Sequence, residues 1–314
     1  MADVIASDLT GREMVSILMP SYNYACYLPA AIESILRQTY RNLELVIVDD
    51  CSTDGSLSVA EEWLQRDSRI VLVRHERNQG LAATRNSGLA ASRGEFIALC
   101  DTDDIWLPFK LEKQLDCLRT DSRFGMVHSD AWIIDKAGAK TGKRFSELYH
   151  RRGQPVRGEL FDELCRRNFI CVPTVVARRE ALEFAGGFDA SLRSLEDWVC
   201  WTRLSAAFQV GYLNEPLALY RYHAGSLSNT KRNMAQNRLR ALEILESTIA
   251  GISSGNRYVM RYSRGVSQWE TGDYGGAART FAALAKQRPW DCRSLIRWLA
   301  SSACAMGERR RSTS

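Results

Sequence analysis

The sequence predicts an α/β protein, with a mostly parallel sheet flanked by helices and a helical C-terminal appendage. Three observations carry that expectation. From Val15 onward, short β-branched apolar runs alternate with segments of helical periodicity, the pattern of βαβ units. Two of those runs end in acidic clusters, Asp49-Asp50 and Asp101-Thr102-Asp103-Asp104. From about Lys231 the periodicity is helical throughout.

The apolar runs are Val15 to Met19, Leu43 to Val48, Ile70 to Val73 and Glu95 to Cys100. Helices are expected at Leu28 to Gln38, Asp54 to Arg66, Gly80 to Ser92 and Pro108 to Arg119. Asp54 suits a helix start, and Pro108 suits a first turn, where a missing amide proton costs little. Residues 130 to 195 are less regular. Glu196-Asp197-Trp198 then opens a helix through Ala207, and Gln209 to Leu213 and Leu217 to Tyr222 read as two strands. Further on, Tyr258, Tyr262, Val266 and Trp269 form one stripe, and Tyr274, Ala277, Ala278, Phe281 and Leu284 form the next. Thr271-Gly272-Asp273 separates them, as in a single tetratricopeptide-like hairpin packed on the preceding domain. The expected division is therefore an α/β domain over 1–228 and a helical region over 229–314.

Composition narrows the class. The 314 residues are 45% hydrophobic and 25% charged, ordinary values for a globular protein. No stretch of about 18 apolar residues suits a membrane span. The first fourteen residues carry Asp3, Asp8 and Glu13 without a basic start and apolar run, so no secretory signal is readable and a cytoplasmic location is expected. Nine cysteines are odd in number and scattered without a C-x-x-C pair, which speaks against a zinc site or a disulfide framework. The net charge is +5, and Lys136 to Arg179 holds eleven Lys or Arg against four Asp or Glu. Such a surface is solvated, or meets a phosphate-bearing acceptor or the anionic inner face of a membrane, as Arg309-Arg310-Arg311 would too. No nucleic-acid motif accompanies the charge, so no nucleic-acid partner is expected.

In open α/β sheets, ligands bind beyond the carboxyl ends of strands, so the two acidic clusters should converge on one crevice. Asp50-Cys51-Ser52-Thr53-Asp54-Gly55 followed by Glu61 matches calcium-loop spacing, yet a strand and not a helix enters it. The first strand–helix turn, Pro20-Ser21-Tyr22-Asn23-Tyr24, lacks the glycines of a dinucleotide site, and no Walker loop occurs. A diphosphate beside carboxylates needs a divalent cation between them, and Asp101-x-Asp103 offers hard oxygens for Mg2+ or Mn2+.

Taken in order, these pieces resemble the inverting family 2 glycosyltransferases of GT-A fold, over about Val15 to Ser228. They are Val15 to Asn23, Val48 to Ser56, Asn78-Gln79-Gly80 with Arg85-Asn86-Ser87-Gly88, Asp101 to Asp104, Gly186-Gly187-Phe188-Asp189, Glu196-Asp197-Trp198 and Tyr220-Arg221-Tyr222-His223. The resemblance implies a nucleoside pocket lined by Pro20, Tyr22 and Asp50, with Asp50 bonding the base. It implies a cation on Asp103, with Asp101 near the ribose or the metal's waters and Asp104 beside them. It makes Asp197 the general base, with Glu196 shaping the site. His223 lies where family members place a histidine near the diphosphate or metal, or it serves a structural hydrogen bond.

Arg221 either offsets phosphate charge or forms a surface ion pair, and Trp106 and Trp198 either stack on a sugar or pack. The absence of a Q-x-x-R-W motif favours addition of a single sugar, from a nucleotide-diphosphate donor with UDP as default, to a carbohydrate or lipid-linked saccharide acceptor. Two rivals are a sugar nucleotidyltransferase, which should carry a glycine-rich, Lys-containing first loop, and a non-catalytic interaction protein on the same scaffold.

Overall fold

A computed structural model describes residues 13–154, 156–223 and 231–312. The boundary expected between 228 and 229 lies outside them, as do Asp3 and Asp8. The elements are β1 (Val15–Ser21), α1 (Leu28–Leu36), β2 (Leu43–Asp49), α2 (Ser56–Arg66), β3 (Ile70–Arg74), α3 (Leu81–Ala91), β4 (Phe96–Leu99), β5 (Ile105–Trp106), α4 (Lys110–Arg119), β6 (Phe124–Ile134) and β7 (Lys140–Arg144). After them come α5 (Phe145–Tyr149), α6 (Phe161–Arg166), β8 (Val176–Arg178), α7 (Arg179–Phe184), α8 (Glu196–Leu204) and β9 (Gln209–Arg221). Four helices follow: α9 (Lys231–Thr248), α10 (Ser254–Thr271), α11 (Tyr274–Gln287) and α12 (Cys292–Ser312).

One sheet runs β3-β2-β1-β4-β8-β6-β9-β5, with β7 paired to β6. Its first four strands are parallel, and β8 enters antiparallel between β4 and β6. Every residue of β1 and β2 is buried, which a parallel strand covered on both faces requires. Alternation then sorts the side chains. Val15, Ile17 and Met19 pack with Leu45, Ile47 and α1 on one face, while Leu18, Val46 and Val48 meet Ile97, Ala82 and Trp201 on the other.

Three helix starts fall later than expected, that of α3 by one residue and those of α2 and α4 by two. Asp54 is the loop residue before α2, its Oδ1 accepting from Ser56 N at 2.9 Å and its Oδ2 from Ala25 N at 3.1 Å, and α4 begins at Lys110 beyond Pro108. The two strands expected between Gln209 and Tyr222 are one, β9. Its register against β6 slips where Ser129 faces Leu213 and Asp130 faces Pro216, so the exposed Asn214 and Glu215 are absorbed as a bulge.

The C-terminal stripes form α10 and α11, with Tyr258, Ala277, Phe281 and Leu284 buried between them. Gly272 closes α10 at φ 92°, a left-handed cap that glycine adopts without strain. Asp273 then caps α11 by accepting from Gly276 N at 2.8 Å. The helical region is not loosely attached: Ala241, Leu242, Leu245 and Met260 share a core with Cys165, Leu192, Trp198 and Val199. The first turn of α8, which carries Glu196 and Asp197, is therefore braced from behind by α9.

Candidate active site

The strand ends come first. Beyond β2, the Asp50 carboxylate is buried and held in place: Oδ1 accepts from His75 Nδ1 at 2.7 Å and Gln79 N at 2.8 Å, and Oδ2 from Gly80 N at 2.8 Å. Facing it, Asn23 Oδ1 accepts from Thr53 N at 2.7 Å and so ties the β1 loop to the β2 loop. Asn23, Cys51 and Leu195 all hold positive φ, at 57°, 62° and 68°. Left-handed backbone at non-glycine residues costs on the order of 1–3 kcal/mol each and gathers where a site demands it. All three flank the crevice motifs.

Beyond β4, the three aspartates part company. Asp101 Oδ1 accepts from Arg85 Nη2 at 2.7 Å, and Asp103 Oδ2 lies 3.0 Å from His223 Nε2. Asp104 is buried and accepts from the backbone N of Arg221 at 2.8 Å, which makes it a clamp on the end of β9. Burial, with Asp101 beside it, raises the Asp103 carboxyl above the usual range, and the His223 bond opposes that. Burial and both neighbouring aspartates push Asp104 well up.

Across the crevice, Leu195 turns the chain into α8, so Glu196 and Asp197 stand in the positive first turn. Asp197 Oδ2 accepts from Asn168 Nδ2 at 2.7 Å. Burial raises Asp197 and pushes Glu196 to about 7, and the Arg85 charge pulls both back. Arg85 is itself buried, pairing with Glu196 through Nη1 and with Asp101 through Nη2. One guanidinium thus bridges the acidic cluster of β4 and the acidic pair of α8.

A crevice of about 1230 Å³ brings Pro20, Tyr22, Asp50, Asp101, Asp103, Glu196 and Asp197 together. His223 adjoins it through Asp103, its ring against Tyr24 and Tyr27 at 5.9 and 5.7 Å. Arg221 is not the surface ion pair expected as one alternative. It is buried, and its guanidinium donates to the carbonyls of Asp103 at 2.7 Å and of Asp135 and Lys136 at 3.0 Å. Trp106 and Trp198 are both buried and pack, with Trp198 Nε1 donating to Leu164 O at 2.6 Å.

Sequence reasoning assigned no role to Arg85 or Asn168. Arg85 had a signal, since it sits one turn beyond Ala82 on the buried side of α3. Asn168 had none, because it lies in the irregular stretch before α8.

Among the described residues, no three His, Cys, Asp or Glu side chains are grouped to enclose an ion. The donor set that is present, one Asp103 oxygen beside one imidazole nitrogen with Asp101 adjacent, fits a cation that takes its other ligands from water and a substrate diphosphate. It does not fit a cation caged by protein alone.

A sheet of this order, with an acidic crevice at its strand ends, is the GT-A architecture. The chain belongs to glycosyltransferase family 2: the model described as "Glycosyl transferase family 2" matches residues 16–183. It is 31% identical over 229 residues to TuaG of Bacillus subtilis (strain 168), a glycosyltransferase assigned to teichuronic acid biosynthesis, covering 72% of this chain and 85% of that one. It is 29% identical over 248 residues to WfaP of Escherichia coli, a UDP-Glc:alpha-D-GlcNAc-diphosphoundecaprenol beta-1,3-glucosyltransferase, covering 79% and 90%. Its fold matches the mannosyltransferase PcManGT of Pyrobaculum calidifontis, solved with GDP-Man and Mn2+, at a TM-score of 0.61 and 18% identity, covering 96% and 82%.

Proposed function

We propose that this glycosyltransferase moves one sugar, with inversion, from a nucleoside-diphosphate sugar, UDP by default, to a hydroxyl of a carbohydrate or lipid-linked saccharide. The single observation that carries the reading is the meeting of Asp103, from the loop after β4, and Asp197, from the start of α8, at one crevice. Polysaccharide or glycoconjugate assembly is the setting it suits, and 1–228 is its catalytic unit with 229–314 as the brace.

Pro20, Tyr22 and Asp50 would line the nucleoside pocket, and the half-exposed ring of Tyr22 is available to a base. Asp103 and His223 would hold Mn2+ or Mg2+, with Asp101 toward the ribose or the metal's waters. When bound, that cation supplies charge neutralisation to the departing diphosphate. Asp197 accepts the proton of the attacking hydroxyl, held toward the crevice by Asn168 and by the start of α8. Glu196 acts through Arg85, which fixes the distance between the two acidic groups.

Among the described residues, no helix is long and apolar enough to cross a membrane. Peripheral contact with an anionic membrane is supported by exposed Trp290, Ile296 and Leu299 near Arg293 and Arg297. Cosedimentation with vesicles containing phosphatidylglycerol, and not with neutral ones, is the expected outcome. For the reaction itself, incubation with UDP-glucose, UDP-N-acetylglucosamine and GDP-mannose plus Mn2+ should release a nucleoside diphosphate from one of them. Formation of an NDP-sugar and pyrophosphate from a nucleoside triphosphate and a sugar 1-phosphate would indicate nucleotidyl transfer instead.

A further inference from the structure

We propose that the acceptor end of the crevice is an anion subsite, in which Arg151, Arg167 and Arg193 hold a phosphoryl group carried by the acceptor. The inference rests on the glycosyltransferase reading of the same crevice and adds the acceptor's chemical class to it.

Of the arginines that line the crevice, Arg85 and Arg221 are taken up by the acidic segments after β4 and at the start of α8. Arg151, Arg166, Arg167, Arg193 and Arg238 are the others. Two of these arginines are already neutralised, Arg166 by Glu163 at 3.1 Å and Arg238 by Glu270 at 3.2 Å. Among the described residues, Arg151, Arg167 and Arg193 have no carboxylate within ion-pair distance.

Arg167 is the most informative of the three. Its Nη2 donates to Tyr149 O and, at 2.6 Å, to Gln154 Oε1, so the side chain is fixed in place by neutral groups. Its Nε is buried without an acceptor. Burial and the neighbouring Arg151 charge both disfavour its protonated form, and the more distant Glu163 carboxylate, already paired with Arg166, only partly opposes them. A guanidinium held beside a second cation, with a buried N–H left unpaired, is unfavourable until an anion arrives. Planar guanidinium groups match phosphoryl oxygens in particular.

Two further features tie this subsite to an acceptor. At about 1230 Å³ the crevice exceeds the range of roughly 300–1,000 Å³ of a single small-molecule site, so a second ligand fits beside the donor. Arg167 is also followed directly by Asn168, which holds Asp197 at 2.7 Å. The segment that would grip the phosphoryl group therefore orients the proposed base.

A diphosphate that links a saccharide to a lipid and a phosphodiester within a polymer share this chemistry. Calorimetric titration of the full chain in EDTA, with octyl diphosphate and with soluble poly(glycerol phosphate), separates those sources by which one binds tighter. Octyl β-glucoside is the neutral control. The expected result is binding of a phosphate probe that weakens at least tenfold in R151A/R193A, weakens with added salt and persists in D103A. Arg167→Lys, which keeps the charge but loses the fork, should weaken it too.

Equal affinity in wild type and R151A/R193A would overturn the subsite, as would a wild type that takes up UDP with Mn2+ but neither phosphate probe. A wild type that fails to bind any nucleoside diphosphate with Mn2+ would instead count against the donor reading.

Discussion

Asp197→Asn should lower sugar transfer about 10²–10⁴-fold, the usual contribution of a positioned general base, while nucleotide binding stays intact. The amide keeps the size of the side chain and, with its oxygen toward Asn168, can keep that 2.7 Å contact, so the loss isolates proton acceptance. The pH profile provides a second reading. As a general base Asp197 would work only when ionised, and burial raises its pKa above that of an ordinary aspartate. Transfer should therefore fall as pH drops through a value above about 3.9, the unperturbed Asp position, and should not be lost as pH rises through it. Wild-type turnover in Asp197→Asn would remove the assignment.

Arg85→Ala should cost about 3–5 kcal/mol of stability, because it strands buried charge on Glu196 and exposes Asp101 to its neighbours. Denaturant unfolding monitored by tryptophan fluorescence measures it. The sign for activity also follows: removal of the Arg85 charge, which pulls Asp197 and Glu196 down, moves their pKa values further up, and the acid limb of the rate profile moves with them. If the alanine variant does not fold, Arg85→Lys keeps the charge while losing the two-pronged contact. It should then show an intermediate shift of the acid limb. A lysine or alanine variant with wild-type stability and an unchanged pH profile would show that the bridge between β4 and α8 is idle.

The first half of the sheet was legible because parallel buried strands leave a signature of continuous apolar runs, and the acidic residues after β2 and β4 fall where ligands bind. The α10–α11 hairpin was legible for a similar reason: Gly272 and Asp273 are the cap residues that its turn requires. What escaped was tertiary in origin. Arg221 is buried against three carbonyls from two separate segments, Asp103 and Asp135-Lys136, and no spacing in the sequence announces such partners. Asn214-Glu215-Pro216 reads as a turn, yet pairing with β6 on both sides carries the strand through it. Arg85 stood in the sequence only as part of the Arg85-Asn86-Ser87-Gly88 piece, with no role, because its partner Glu196 lies on α8, over a hundred residues later.

The central claim is that the crevice takes a nucleoside diphosphate through a cation held by Asp103. Calorimetric titration of UDP, GDP and dTDP into wild type and Asp103→Ala, each with and without Mn2+, tests it most directly. The account predicts tight binding of one nucleotide that requires Mn2+ and disappears in Asp103→Ala. Binding that is indifferent to both Mn2+ and Asp103, or no binding of any of the three to wild type, would contradict it.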